Sequence, residues 1–126
     1  MATKPANAAQ KKWMSDIAEW AQDNLYVIYG DDYNDSFIPI ELHHVTGRSS
    51  RQNKVSIGHE FILPVPYELH NVMSSHKDNV TNFKKNFVKR FGTQRGLFDT
   101  MVSVMRAQGY TVPCCKVLDA IKDTNA

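Results

Sequence analysis

Apolar residues recur at helical spacing near the start of the chain. Trp13, Ile17, Trp20 and Ala21 stand at i, i+4, i+7 and i+8, and polar or charged side chains occupy most of the positions between them. The pattern predicts an amphipathic helix over residues 9–24, with both tryptophans as core anchors.

The pattern then changes to short extended segments. Residues 25–29 are predicted to form a short strand or extended segment that Gly30 ends. Alternation of apolar and polar residues predicts a second strand over residues 37–43. A long polar and basic loop over residues 45–58 follows, and a third strand is predicted over residues 59–63.

Helix signals dominate the second half of the chain. Four helices are predicted there, from a proline at a helix start, from cap residues and from stripes of apolar residues. Their predicted ranges are 66–73, from Asp78 or Asn79 to Phe91, from Thr93 to Gly109, and 114–122. After the N-terminal helix, short strands followed by a run of helices predict an α+β fold.

Composition narrows the class of protein. The chain has 126 residues, 42% of them hydrophobic and 22% charged, which is typical of one soluble globular domain. Residues 1–9 are predicted to be a disordered lead-in and residues 10–126 a single domain. No apolar run approaches the roughly 20 residues of a membrane span, and the first residues lack an apolar signal core. A cytoplasmic protein is therefore expected.

The two cysteines, Cys114 and Cys115, are adjacent. Adjacent cysteines rarely bridge each other, and a structural zinc site usually takes four ligands at looped spacings. Both are predicted to be reduced thiols in a buried or half-buried position.

Positive charge is concentrated in the middle of the chain. Between His43 and Arg95 there are nine Lys or Arg and three acidic residues, a local net charge of +6. Such a segment is typical of a protein that binds a polyanion such as DNA, although it is also compatible with an ordinary solvated face. The candidate DNA-contacting residues are Arg51, Lys54, Lys77, Lys84, Lys85, Lys89 and Arg90.

All five histidines lie in the same part of the chain, at His43, His44, His59, His70 and His76. Neutral imidazole binds divalent metals and accepts protons near neutral pH. The order strand, long loop, strand and histidine-bearing helix is that of a ββα-metal (His-Me finger) nuclease. The predicted architecture is therefore a ββα-metal hairpin-plus-helix core packed against additional α-helices.

The chemistry of phosphodiester hydrolysis suggests a role for each histidine. One divalent metal stabilises the developing charge and one imidazole takes a proton from water. His44 is the predicted general base, and His43 and His70 are the predicted metal ligands. His76 is preferred to His59 as third ligand, while His59 could instead orient His44. An ordinary strand end or a closed structural zinc site are the alternatives.

One geometric condition accompanies this assignment. Adjacent residues of a regular strand point to opposite faces. For His43 and His44 to approach one phosphate, the strand must end or bulge there, and the Val-Thr-Gly sequence that follows makes this plausible.

Four segments together resemble a known family. They are KWMSDIAE at residues 12–19, IELHHVTGR at 40–48, ILPVPYELH at 62–70 and NVTNFKKNFVKRFGTQ at 79–94. The set resembles phage-borne HNH nucleases related to the recombination enhancement function (Ref) nuclease, over roughly residues 10–105.

The resemblance implies a ββα-metal fold and metal-dependent DNA cleavage in phage recombination. The family's paired histidines match His43 and His44, and its later histidines match His70 and His76. Arg48, in the Gly-Arg that follows the paired histidines, joins His44 and His59 as a candidate catalytic residue.

Two departures from the family matter. Many relatives carry Cys-x-x-Cys where this chain has residues 25–29, so an accessory structural zinc is not expected there. The middle position of the HNH signature is not asparagine, and His59 and Glu60 are the nearest candidates.

The expected function is a DNA endonuclease that uses one divalent ion (Mg, Mn, Zn or Ni) and works with a recombinase or another DNA-processing protein. The alternative is a DNA- or protein-binding module that keeps the fold while cleavage is weak or lost.

Overall fold

The structure is a computed structural model that describes residues 5–34 and 38–126. Its helices are α1 (Ala8–Asn24), α2 (Tyr26–Tyr29), α3 (Tyr67–His70), α4 (Lys84–Phe91), α5 (Gln94–Ala107) and α6 (Cys115–Lys122), with a 3₁₀ turn at Asp31–Tyr33. Its strands are β1 (Ile40–His44), β2 (Arg51–Gln52), β3 (Val55–Ser56) and β4 (Ile62–Pro66). The predicted α+β class is confirmed.

Strands β1 and β4 form an antiparallel ribbon at the centre of the fold. Their register runs from Ile40 opposite Pro66 to His44 opposite Ile62. Every residue of β4 is buried, because α1 and α5 pack against this ribbon. Successive residues of β1 therefore alternate between two different environments.

Helix α1 covers the ribbon with the predicted stripe of Trp13, Ile17, Trp20 and Ala21, all of them buried. The helix begins earlier than predicted. The Asn7 side chain accepts a hydrogen bond from the Gln10 backbone N–H, and the Gln10 side chain accepts one from the Asn7 backbone N–H. This capping box starts the helix at Ala8, inside the predicted disordered lead-in. Residues 1–4 of that lead-in lie outside the described part of the chain.

Helix α5 agrees closely with its prediction. The Thr93 hydroxyl caps it by accepting a hydrogen bond from the Gly96 N–H at 3.0 Å. Its apolar stripe is buried, and the ring of Phe98 lies 5.1 Å from that of Phe61, centroid to centroid. A local cap and a regular stripe were enough to predict this helix.

The strand predicted over residues 25–29 is wrong. These residues continue from α1 into a single helical turn, in which the Tyr29 N–H donates to the Leu25 carbonyl at 3.1 Å. Leu25, Ile28 and Tyr29 are buried, and the Tyr29 hydroxyl donates to the Pro64 carbonyl at 2.7 Å. Packing against β4 has overridden the β propensity of this segment.

The hairpin strands are displaced from their predicted ranges. The strand predicted over residues 59–63 begins at Ile62 instead of His59, because the Phe61 N–H donates to the Ile57 carbonyl and residues 58–60 form a turn. The predicted long loop contains a second hairpin, β2–β3. Its two turn residues, Asn53 and Lys54, both have positive φ. Residue 37, the start of the strand predicted over residues 37–43, lies outside the described residues.

The helix predicted from Asp78 or Asn79 begins only at Lys84. Asn79 is fully buried, and its side chain binds backbone groups of neighbouring turns instead of capping a helix. The side-chain oxygen accepts from the N–H groups of Thr81 and Asn82, at 2.8 and 3.0 Å. These bonds compete with helix formation at the same residues. The helix predicted over residues 66–73 is also shorter than predicted, since α3 comprises only Tyr67–His70.

The cysteines differ from their prediction in exposure. Both are unbridged, as predicted, but both are exposed instead of buried. Cys114 is the N-cap residue of α6 and Cys115 its first residue. Among the described residues, no helix is long and apolar enough to cross a membrane.

Candidate metal and nucleic-acid site

The structure brings His43 and His70 together. Their ring centroids are 4.9 Å apart, with a 58° angle between the ring planes. His43 lies near the end of β1, and His70 is the last residue of α3, which follows β4 directly. The Tyr67 N–H donates to the Pro39 carbonyl at 2.9 Å and ties the start of α3 to the strand that carries His43. Two of the predicted metal ligands are thus neighbours.

Each of these rings is held by an oxygen acceptor. His70 Nδ1 lies 2.7 Å from Glu41 Oε1, and His43 Nε2 lies 2.8 Å from Gln94 Oε1. Carboxylate and amide oxygens only accept hydrogen bonds, so the contacting ring nitrogens carry the protons. The lone pairs then fall on His43 Nδ1 and His70 Nε2. Metal-binding histidines usually have this arrangement, in which the second ring nitrogen donates to an oxygen.

The protonation states suit metal binding. Burial, together with the nearby charge of His70, lowers the pKa of His43 from 6.5 to about 4, so its imidazole is neutral at pH 7. The hydrogen bond from His70 is the main cause of a lowered pKa at Glu41, which keeps that carboxylate ionised. A neutral imidazole and an ionised carboxylate partner are what a divalent ion requires of this pair.

His44 faces the other side of β1. Its ring lies 5.9 Å from that of His59, at 80° between the ring planes. Strand β1 continues through His44, which pairs with Ile62, so the predicted end or bulge between the two histidines is absent. Burial, and then the charges of Arg48 and His59, lower the pKa of His44. His44 is therefore disposed to be neutral, and it is separated from His43 by the strand.

The loop after His44 is held by two glycines. Gly47 has φ +92° and its N–H donates to the His44 carbonyl at 3.2 Å. Gly58 packs directly on the next turn, where a Cβ would lie 2.1 Å from the Arg48 carbonyl oxygen. This close contact fixes the backbone of Arg48, whose side chain is exposed on the side of His44.

The structure separates the two candidates for the third ligand. His59 lies with His44 and not with the His43–His70 pair. His76 Nδ1 accepts a hydrogen bond from the Asp78 N–H at 3.0 Å, and its Nε2 is 4.0 Å from Glu68 Oε1. Within residues 5–34 and 38–126, no group of three His, Cys, Asp or Glu side chains is placed to hold a metal.

Four of the predicted DNA-contacting lysines are exposed. Lys77, Lys84, Lys85 and Lys89 are exposed, and none of them forms a salt bridge to any residue that the structure describes. The charge of Lys84 contributes to the lowered pKa of His43, so this lysine is close to the pair. Lys77 and Lys89 line an open depression of about 660 Å³ together with Asp78, Asn86 and Arg90.

Arg90 and Arg51 have other partners, and Lys54 lies beside Arg51 on a separate hairpin. Arg90 forms ion pairs with Asp78 at 2.9 Å and Asp32 at 3.3 Å, and its guanidinium carbon lies 4.7 Å from the centroid of the Phe91 ring. Any contact of Arg90 with phosphate would have to displace these carboxylates. Arg51 and Lys54 lie on the separate β2–β3 hairpin, where the Arg51 guanidinium donates to the Lys54 carbonyl at 2.7 Å.

Two residues of the candidate site were missed from the sequence. Glu41 stands two positions before His43 on the same strand, so a strict two-residue periodicity could have placed both on one face. No feature of the sequence indicated that Gln94 would contact His43. Gln94 is the first residue of α5 and is only 3% exposed, and its contact with His43 depends on how α5 packs against the ribbon.

Comparison of the chain with protein-family models, with curated proteins and with solved structures finds no match. The resemblance to HNH nucleases therefore stays a prediction from the sequence.

Proposed function

We propose that this protein is a divalent-metal-dependent DNA endonuclease of the HNH kind, with a ββα-metal core formed by β1, β4 and α3. The observation that carries the proposal is the pairing of His43 with His70. Both rings are oriented by an oxygen acceptor, and both leave a lone pair for a shared ion. A pair of histidines on a strand and on the following helix is also what the sequence resemblance implies.

The donor set favours some metals over others. When bound, a divalent ion would polarise a phosphate oxygen and stabilise charge on the leaving oxygen. Imidazole ligands suit Zn and Ni better than Mg, which prefers carboxylate, carbonyl and water oxygens. Among the candidate ions Mg, Mn, Zn and Ni, we expect the transition metals to bind this pair more tightly. His76 stays the predicted third ligand.

His44 is the proposed general base. Its lowered pKa favours the neutral form that accepts a proton from water. His59, 5.9 Å away, would restrict the orientation of its ring, and Arg48 would contact a phosphate oxygen. Within the described residues β1 pairs only with β4, so its other edge forms no strand pair. A phosphate lying along this edge can be approached by His43 from one face and by His44 from the other.

The exposed lysines support DNA as the substrate. Lysines that contact phosphates fix the position of a duplex without reading its sequence. We therefore expect weak sequence preference and an affinity that falls steeply with salt. The resemblance extends the proposal to a phage-encoded enzyme of recombination or DNA processing that acts in the host cytoplasm, beside a recombinase or another DNA-processing protein.

Nicking of supercoiled plasmid tests the proposal. The wild-type protein is assayed with Mg, Mn, Zn, Ni and a chelator, beside His43→Ala and His70→Ala. Cleavage is expected with metal and not with chelator, and both variants should lose it. The exposed cysteines can bind Zn or Ni themselves, so all proteins carry Cys114→Ser and Cys115→Ser. Equal nicking by wild type and both histidine variants would contradict the proposal.

A second candidate function is a DNA- or protein-binding module without cleavage. His43 and His44 lie on opposite faces of β1, so the proposed metal ligand and the proposed base do not point to the same place. This arrangement favours the binding module. This candidate predicts salt-dependent DNA binding with no nicking under any metal.

A further inference from the structure

An exposed apolar tip lies immediately after α3. Met73 is 83% exposed and Val72 is 65% exposed, which are high values for apolar side chains at adjacent positions. Phe83, at the start of α4, is 46% exposed. Single exposed apolar residues are common, but three within one short surface region indicate a contact surface. We call Val72, Met73 and Phe83 the apolar tip.

The turn that carries Val72 and Met73 is held by a network of hydrogen bonds. The Asn71 side-chain oxygen accepts from the Met73 N–H at 2.9 Å, and the Asn82 side chain donates to the Val72 and Ser74 carbonyls at 3.1 and 3.3 Å. The Ser74 hydroxyl donates to the Glu68 carbonyl of α3 at 2.7 Å. An apolar turn fixed in this way is preorganised for insertion, because little conformational entropy remains to be lost.

The tip adjoins the candidate metal pair. Val72 stands two residues after His70, and the Thr81 hydroxyl donates to the His70 carbonyl. On the α4 side, Phe83 is followed by Lys84, whose charge reaches His43. A ligand that contacts the apolar tip therefore passes close to His43 and His70.

The charges around the tip point to the kind of ligand. Lys84 and Lys85 follow Phe83 directly in the chain and Lys77 stands four residues after Met73; all three are exposed and form no salt bridge within the described parts of the chain. Apolar side chains flanked by unpaired lysines are complementary to DNA, which offers phosphates at its edge and apolar base faces inside. Minor-groove binding proteins commonly insert Met, Leu or Phe between base pairs and kink the duplex.

We propose that Met73, supported by Val72, inserts between neighbouring base pairs of duplex DNA while the lysines hold the phosphates. The inference rests on the proposed function, since it takes DNA as the substrate, and it adds how the duplex is deformed at the site. Insertion separates the stacked bases and bends the helix axis next to His43 and His70. Duplexes that are already unstacked at one step, for example by a mismatch, should therefore bind more tightly than fully paired ones.

The test uses the full chain, chelator and a short duplex that contains 2-aminopurine, a base whose fluorescence rises when it unstacks. The variants are Met73→Ser and, as a matched control, Tyr26→Ser, which removes an exposed apolar side chain (42% exposed) from α2. Lys84→Ala reports the phosphate contacts separately. Binding is measured by anisotropy on the same duplex and on a mismatched one.

We expect fluorescence to rise when wild type or Tyr26→Ser binds. With Met73→Ser the rise should disappear and the affinity for paired duplex should fall about tenfold, with a smaller loss on the mismatched duplex. Binding by wild type without a fluorescence rise, or an unchanged rise with Met73→Ser, would overturn the insertion while leaving the proposed function intact. Absence of DNA binding at low salt, even with mismatches, would overturn the proposed function and the insertion together.

Discussion

The rings of His43 and His70 lie 4.9 Å apart, across the junction between β1 and α3. Glu41 and Gln94 hold them from opposite ends of the site, one from the same strand as His43 and the other from α5. The pair is therefore fixed by three different elements of the fold. In the proposed metal site, Glu41 and Gln94 would be the outer partners that orient the two ligands.

Replacement of Glu41 tests this support. Glu41→Gln removes the ionised acceptor of the His70 Nδ1–H and keeps the shape of the side chain. Loss of such an outer partner should weaken metal binding roughly 10- to 100-fold, measured by titration calorimetry with Zn and Ni in the cysteine-free background. Glu19→Gln is the matched control, because it removes the same charge from an exposed position on α1. Equal losses in the two variants would show that general charge, and not the contact with His70, sets the affinity.

Protonation of His43 should affect folding at mildly acidic pH. Its pKa is about 4 in the folded protein and 6.5 in an unfolded chain, so the unfolded state binds the proton first as pH falls. Stability is therefore highest above pH 6.5 and declines between pH 6.5 and 4, by at most roughly 1.4 kcal/mol per pH unit from this group. Urea unfolding at several pH values measures the slope.

His43→Asn is the control for that slope, since Glu41 and other acids also titrate at low pH. The decline above pH 4.5 should be shallower in the variant than in wild type. NMR titration of the His43 ring measures the pKa directly, and a midpoint near 6.5 would show that burial does not control this group.

Gly58→Ala should destabilise the fold. The added methyl would meet the Arg48 carbonyl oxygen, a backbone atom, at 2.1 Å, and overpacking of this kind costs roughly 1–3 kcal/mol or more. In Gly96→Ala the methyl meets only the Thr93 hydroxyl at 3.0 Å, within a helix that favours alanine. Thermal unfolding should show a clear loss for the first variant and a small change for the second. A Gly58→Ala protein as stable as wild type would contradict the packing described for the Arg48 loop.

Asn79 is expected to be critical for the turn region between α3 and α4. Its side chain donates to the Glu68 and Asn71 carbonyls, at 3.2 and 2.8 Å, in a fully buried position. Asn79→Ala removes these two bonds and the two that the Asn79 oxygen accepts from the Thr81 and Asn82 N–H groups, and it should lower the free energy of unfolding by roughly 1–3 kcal/mol. Asn86→Ala, which removes one exposed bond to the Lys77 carbonyl, should cost less than about 0.5 kcal/mol. Similar effects of the two substitutions in urea unfolding would count against a central role for Asn79.

Elements with strong local signals could be predicted from the sequence. The stripe that includes Trp13 and Trp20 and the Thr93 cap both act within one or two helical turns, so the pattern along the chain is sufficient. Residues 25–29 show the opposite case. Their β-favouring composition gave the wrong structure, because burial of Tyr29 against Pro64 depends on residues far away in the chain.

The candidate site, too, could be predicted only in part from the sequence. The histidines were visible because few residue types bind metals, and the pairing of His43 with His70 followed from the order of the elements. The register of β1 and β4 was not visible, and this register keeps β1 regular through His44 and turns His44 towards His59. The role of Asn79 was missed because an Asn before an apolar stripe resembles a helix cap, whereas its partners here are the Glu68 and Asn71 carbonyls.

The most direct test of the central claim is the initial rate of plasmid nicking by His44→Ala, compared with wild type at a saturating metal concentration. Removal of a general base should lower this rate roughly 10²- to 10⁴-fold, while the metal affinity set by His43 and His70 stays unchanged. Equal rates for the two proteins, or no metal-dependent nicking by wild type, would contradict the assignment of this protein as a nuclease with His44 as its base.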